Sequence, residues 1–129
     1  MAKIVIITGA TSGFGLATAK KFKDNGDIVI IVSRNAKKVD DAVKENGFDL
    51  GFTMDVTDYA KWVELKDLVI SKYGKIDVLV NNAGGGVAIV DTADQKKEDI
   101  DQTIALNLNS VIYGSSIFGD VMKSQKDGV

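Results

Sequence analysis

The chain has 129 residues, 45% apolar and 26% charged, a balance that suits one globular domain with a buried core and excludes disorder. With 16 basic and 18 acidic side chains its net charge is -2, which leaves no basic footprint for nucleic acid. It contains neither cysteine nor histidine, which removes disulfides, thiolate metal ligands and the usual zinc sets, so no metal site is expected.

In chain order, short β-branched runs alternate with longer segments of helical period, the pattern of βαβ units and a doubly covered parallel sheet. The first strand is "KIVIIT" (3–8). The amino terminus around it, "MAKIVIITGA", is too short and wrongly flanked for a secretion signal or a membrane span, so the default expectation is a cytoplasmic chain with no membrane partner. A helix over 13–25 follows, with Leu16, Ala19 and Phe22 at helical spacing and Asn25-Gly26 as a stop. Next come the strand "DIVIIVS" (27–33) and a helix over 36–45, with Asn35 as N-cap and Gly47 beyond its end. The strand "LGFTMD" (50–55) leads to a helix from about Asp58 that places Trp62, Leu65, Val69 and Tyr73 on one face before Gly74. A fourth strand is "DVLVN" (77–81).

The last segment, about 99–126, reads as one long helix of roughly 40 Å. Its stripe of Ile100, Ile104, Leu108, Val111, Phe118 and Met122, widened by Ile112, Ile117 and Val121, is more apolar surface than a four-stranded sheet covers, and it calls for another partner. No linker, repeat or low-complexity stretch interrupts the chain, so residues 1–129 are expected to form one domain.

"TGATSGFG" (8–15) ends a strand and opens a helix, the context in which a glycine-rich turn cradles phosphate. In that reading Gly9 permits a sharp turn, Gly13 lets the backbone approach a pyrophosphate, and Gly15 lets helix and strand pack closely. Free N–H groups at the helix start attract the anion. The alternative is an ordinary tight turn, since the spacing is G-x-x-x-G-x-G and not the commoner G-x-G-x-x-G. The other strand ends decide. A doubly wound sheet binds its ligand beyond the carboxyl ends of its strands, and those ends carry Ser33-Arg34, Asp55-Val56 and "NNAG" (81–84).

With "TGATSGFG", "DVTD" (55–58), "NNAG" and the asparagine of "LNLN" in this order, the chain resembles the short-chain dehydrogenase/reductase family over its whole length. The resemblance implies an α/β fold of Rossmann type, a doubly wound parallel sheet of order 3-2-1-4 with crossover helices and a long final helix. It implies that Gly9, Gly13 and Gly15 hold the cofactor pyrophosphate, with Thr11, Ser12 and Phe14 of the same run counted among the cofactor-binding residues. Asp55 then accepts from the adenine amino group with Val56 beside it, Ala83 and Gly84 line the ribose, and Asn82 is a further candidate contact. Asn81 reads as structural. Asp55 as a strand-end turn residue, and Asn81 and Asn82 as turn residues, remain open alternatives.

Arg34 bears on the choice of cofactor. Where an NAD-binding chain usually places a carboxylate for the ribose hydroxyls, this one has Ser33 and then Arg34, whose guanidinium forks onto phosphate oxygens, so NADP(H) is expected over NAD(H). The alternative is a solvated arginine, and Ser12, where many NADP-preferring relatives carry a basic residue, adds no support. Asn107 matches the asparagine of the family's Asn-Ser-Tyr-Lys catalytic set, implied to bend the helix and hold a water. An asparagine between Leu106 and Leu108 in a buried helix interior needs partners for its amide, whereas on an exposed edge it needs none.

The rest of the catalytic set has no counterpart here. Carbonyl reduction needs a proton donor for the developing alkoxide, in the family the tyrosine of Y-x-x-x-K. Tyr59, Tyr73 and Tyr113 are followed four residues later by Val63, Asp77 and Ile117. The chain is therefore expected to be the amino-terminal half of a longer oxidoreductase acting on a small carbonyl or alcohol and assembling as a homodimer or homotetramer. A non-catalytic nucleotide-binding or interaction module is the alternative.

Overall fold

Each expected strand forms, slightly shorter than the apolar run that signals it. In the computed structural model, which describes residues 1–129, the strands are β1 (Ile4–Thr8), β2 (Ile28–Ser33), β3 (Leu50–Thr53) and β4 (Val78–Val80). The helices are α1 (Gly13–Asp24), α2 (Ala36–Asn46), α3 (Tyr59–Tyr73), α4 (Lys97–Ile104) and α5 (Ser110–Gln125). All pairings are parallel and the order is β3-β2-β1-β4, with Ile6 of β1 opposite Ile30 on one side and Leu79 on the other.

Alternation of side chains along each strand divides the core into two layers. Ile4, Ile6, Ile30 and Val32 face Trp62, Leu65 and Phe118 of α3 and α5. Val5, Ile7, Val29 and Ile31 face Ala19 of α1 with Val39 and Ala42 of α2. β1 is buried along its whole length because helices cover both its faces. β4, at the edge, is only half-buried, which departs from the expectation of a doubly covered strand. The caps form as the sequence predicts. Asn35 Oδ1 accepts from the Lys38 N–H at 3.0 Å, and Gly26, Gly47 and Gly74 supply the positive φ that ends α1, α2 and α3.

The long final helix forms over 97–125, with a π turn inside it. α4 begins at Lys97, a π turn occupies Ala105–Asn109, and α5 then runs to Gln125. The expected broad stripe consequently splits into two faces. Phe118 is fully buried, with Leu106, Ile117, Val121 and Met122 packed around the same cluster, while Ile100, Ile104, Leu108 and Ile112 are exposed. Gly114 explains the orientation. A Cβ there would lie 2.7 Å from the Trp62 ring, so α5 rests on α3 along its glycine side, and Trp62 and Phe118 meet edge-on with centroids 5.8 Å apart. Ile112, two residues from Gly114 and so about 200° around the helix, faces away.

The β4 edge is also less open than its uncharged sequence implies. The Val129 N–H donates to the Asp77 carbonyl and the Leu79 N–H donates to the Val129 carbonyl, both at 2.9 Å. The Gln125 side chain turns the chain back toward β4: its Oε1 accepts from the Ile76 N–H at 3.0 Å and its Nε2 donates to the Ile76 carbonyl at 2.7 Å. No helix is long and apolar enough to cross a membrane.

Candidate functional site

The carboxyl ends of the strands open on a cleft of about 340 Å³. Of the residues singled out from sequence, Gly9, Thr11 and Ser12 line it from the first turn, and Ser33 and Arg34 from the end of β2. Asp55 and Val56 line it from beyond β3, and Asn82, Ala83 and Gly84 from beyond β4. Val32, Met54 and Leu106 complete the wall and were not anticipated. These three are apolar residues at strand ends and in the π turn, and they read in sequence as core.

The glycine turn has the geometry its spacing suggested. Gly9 takes φ 66° and donates to the Val32 carbonyl at 2.8 Å, folding the chain over β2. A Cβ at Gly15 would overlap the Gly9 carbonyl oxygen, so that glycine sets how closely α1 approaches the turn. Gly13 is different: it takes φ 56° and a Cβ there would meet no protein atom within 4 Å. Gly13, Phe14 and Gly15 form the first turn of α1, outside the cleft wall, with Phe14 89% exposed. The first bond of α1 is from the Leu16 N–H to the Ser12 carbonyl at 3.1 Å, and the Ser12 side chain caps nothing. The N–H groups of Gly13, Phe14 and Gly15 therefore have no acceptor within the chain. Three free donors at the positive end of a helix dipole favour an anion.

The hub of the site is a residue the motifs did not single out. Thr8 is 1% exposed, and its hydroxyl accepts from the N–H groups of Asn82 and Ala83, each at 3.0 Å, and faces the Val80 carbonyl at 3.4 Å. Asn82 Nδ2 donates in turn to the Gly9 carbonyl at 3.1 Å. The two turns that flank the cleft are thus locked to each other. The signal was available: a hydroxyl closing an otherwise apolar buried strand needs partners. Asn81 Nδ2 donates to Ser115 Oγ at 3.2 Å, tying β4 to α5.

Asp55 makes a turn and still faces the cleft. Its Oδ1 accepts from the Thr57 N–H at 2.9 Å and the Thr57 hydroxyl at 2.7 Å, while Oδ2 has no partner in the chain. The strand expected to reach it stops at Thr53, because the turn takes over. At the end of β2, Thr11 Oγ1 and Ser33 Oγ are 3.5 Å apart. Arg34 is exposed and takes part in none of the ion pairs of the structure.

Asn107 stands on an exposed edge and not in a buried helix interior. It lies in the π turn and does not line the cleft. Its amide is nevertheless fully engaged: Oδ1 accepts from the Gly85 N–H at 2.9 Å, and Nδ2 donates to the carbonyls of Gly85 at 2.7 Å and Thr103 at 2.9 Å. A Cβ at Gly84 would lie 2.7 Å from Asn107 Oδ1, so the turn after "NNAG" is moulded onto this side chain.

The titrations that are displaced belong to groups away from the cleft. Asp27 is held below the usual carboxylate value by the Lys3 N–H and Asn25, Lys37 is raised by its hydrogen bond to Asp41, and burial raises Tyr73.

A sequence profile of the family described as short chain dehydrogenase matches residues 3–129. The chain belongs to the short-chain dehydrogenase family. It is 34% identical to tropinone reductase-like 2 of Erythroxylum coca, covering 98% of this chain and 47% of that protein. It is likewise 34% identical to the NADP-dependent (R)-specific alcohol dehydrogenase of Lentilactobacillus kefiri, covering 95% of this chain and 50% of that protein. The crystal structure of a short chain dehydrogenase from Bacillus anthracis superposes with a TM-score of 0.91 at 31% identity, covering 97% of this chain and 53% of the other. The chain thus spans about half the length of the curated relatives it matches. Within the family's fold, the segment described here is the one that builds the glycine turn, the strand ends and the cleft between them.

Proposed function

We propose that this chain is the cofactor-binding half of an NADP(H)-dependent oxidoreductase that moves hydride between a nicotinamide and a small carbonyl or alcohol substrate. The free N–H groups of Gly13, Phe14 and Gly15 receive the pyrophosphate, for which the missing Cβ of Gly13 leaves room. Asp55 Oδ2 accepts from the adenine amino group, and Ala83, held by Thr8, and Gly84, whose neighbour Gly85 is held by Asn107, flank the ribose. When bound, the cofactor supplies or accepts the hydride.

The observation that carries the NADP(H) reading is the unpaired Arg34 guanidinium on the cleft wall beside Ser33, where a carboxylate would repel a 2′-phosphate. The name of the Lentilactobacillus kefiri relative is consistent with that choice. Arg34→Ala is expected to weaken NADPH binding by about 1.5–3 kcal/mol, the scale of a hydrogen bond to a charged group, and to leave NADH almost unchanged in a fluorescence titration. Equal losses for both dinucleotides would sink the 2′-phosphate role.

Asn107 contributes to catalysis through position in this reading, fixing Gly85 and the π turn beside the cleft. We extend the proposal to a homo-oligomer in which the exposed row Ile100, Ile104, Leu108 and Ile112, one side chain every four residues, is covered by a second copy. Sedimentation velocity reads the assembly, and Leu108→Glu is expected to shift it toward monomer.

A further inference from the structure

A second groove, of about 350 Å³, runs between α1 and α2. It shares Thr11 and Ser12 with the cleft, so the two meet at the glycine turn. Lys38 is the only cationic side chain on its wall. The Lys38 backbone is fixed by the Asn35 cap, while its side chain enters none of the ion pairs of the structure. Two carboxylates share the groove, and neither claims Lys38. Asp41 is held by Lys37 at 2.8 Å. Glu45 lies seven residues along α2, about 10 Å further from the shared end. Arg34 lines the cleft and Lys38 lines the groove, and Thr11 and Ser12 line both.

We propose that Lys38 is a second determinant of dinucleotide choice, supplying a positive charge to the 2′-phosphate from the adjoining groove. The inference rests on the NADP(H) reading above. Lysine suits the task as a point charge on a flexible stem that moves to a phosphate without the fixed fork geometry arginine needs. The 2′-phosphate thereby meets two cations that form no ion pair within the chain.

The test is a titration of NADPH and NADH against the unaltered protein, Lys38→Ala, Lys38→Glu, Lys44→Ala and Arg34→Ala. Lys44 is on α2 but outside the groove, so its loss removes the same charge from the same helix without touching the site. Lys38→Ala is expected to weaken NADPH about fivefold, the effect of an exposed ion pair near its upper limit, with NADH unchanged. Lys38→Glu is expected to weaken NADPH further, and it leaves folding intact because glutamate is favourable at this position of a helix. Lys44→Ala should alter neither. If Lys38→Ala matches Lys44→Ala while Arg34→Ala still selectively weakens NADPH, the role of Lys38 is overturned and the NADP(H) reading stands. If the unaltered protein shows no preference and Arg34→Ala removes none, that reading fails and Lys38 with it.

Discussion

The two ends of the parallel sheet solve the same problem in opposite ways. At the amino ends, backbone N–H groups at the strand starts find carboxylates within the chain. Asp27 Oδ1 accepts from the Lys3 N–H at 2.9 Å, Asp77 Oδ2 from Ile4 at 2.8 Å, and Asp49 Oδ2 from Val29 at 2.8 Å. At the carboxyl ends, the N–H groups of Gly13, Phe14 and Gly15 have no acceptor and point outward from a helix start. Donors the protein satisfies itself hold a fold together, and donors it leaves free at a helix dipole are ready for an external anion. The difference separates stability from binding by position along the strands, and substitutions at the two ends should therefore read out differently.

The largest expected effect is at Gly13. A Val side chain there meets no protein atom but fills the space in front of the free donors, so Gly13→Val should weaken either dinucleotide more than 100-fold, or about 3 kcal/mol. The left-handed backbone at φ 56° adds strain of about 1–2 kcal/mol, which lowers the melting temperature without abolishing the cooperative transition. A Gly13→Val protein that binds NADPH at the original affinity would reduce the carboxyl end to a plain turn and erase the contrast.

Thr8 lies where the two roles meet and comes next. Thr8→Val keeps the shape but leaves the N–H groups of Asn82 and Ala83 without their acceptor, at a cost of about 2 kcal/mol in chemical denaturation. Because those residues line the cleft, dinucleotide affinity should fall as well, and Thr8→Ser should restore both. A loss of stability with affinity untouched would mean that the turn after β4 is not part of the binding site.

The sequence made some of this visible and hid the rest, for physical reasons. β1 and β2 announced themselves because a strand covered on both faces must be apolar throughout. The glycine turn was readable because glycine takes the positive φ of Gly9 and Gly13 without strain, and because no side chain fits between Gly15 and the Gly9 carbonyl. The aspartates are less legible: Asp27 and Asp77 read in sequence as the first residues of their strands, yet each, like Asp49, stands one residue before its strand and reaches sideways to the neighbouring one. That pattern repeats before β2, β3 and β4 and is plain only once the strand order is known. Asn107 was identified as a site residue, but its bonds to Gly85 span 22 residues and no local period encodes them. The π turn at Ala105–Asn109 fits the local bend that the resemblance implies at Asn107, although no local period marks it.

At the amino end, Asp27 offers a smaller effect with a pH signature. Its carboxyl is held below the ordinary aspartate value of 3.8, first by the Lys3 N–H and then by the Asn25 side chain. The stabilisation is therefore complete above about pH 4 and is lost as pH falls through the lower folded-state value. Asp27→Asn retains an acceptor but not the charge, and should cost about 1 kcal/mol at neutral pH, with a shallower decline in stability below pH 4 and no change in dinucleotide affinity. An altered affinity would show that the two ends are coupled.

The smallest effect sharpens what the carboxylates do. Asp49 Oδ2 accepts from the Val29 N–H and from Lys23 Nζ, each at 2.8 Å, so one oxygen serves a backbone bond and an ion pair. The ion pair is between side chains 31% and 28% exposed, where solvent screens the attraction and fixing a lysine costs entropy. Removing it with Lys23→Ala should cost about 0.5 kcal/mol or less, and that cost should vanish in 1 M salt, where screening acts over about 3 Å. Asp49→Ala removes the backbone acceptor too and should cost about 2 kcal/mol, with little dependence on salt. Equal losses in the two variants, both abolished by salt, would mean that the amino end is held by surface charge, and the opposition between satisfied and free backbone donors would no longer describe this sheet.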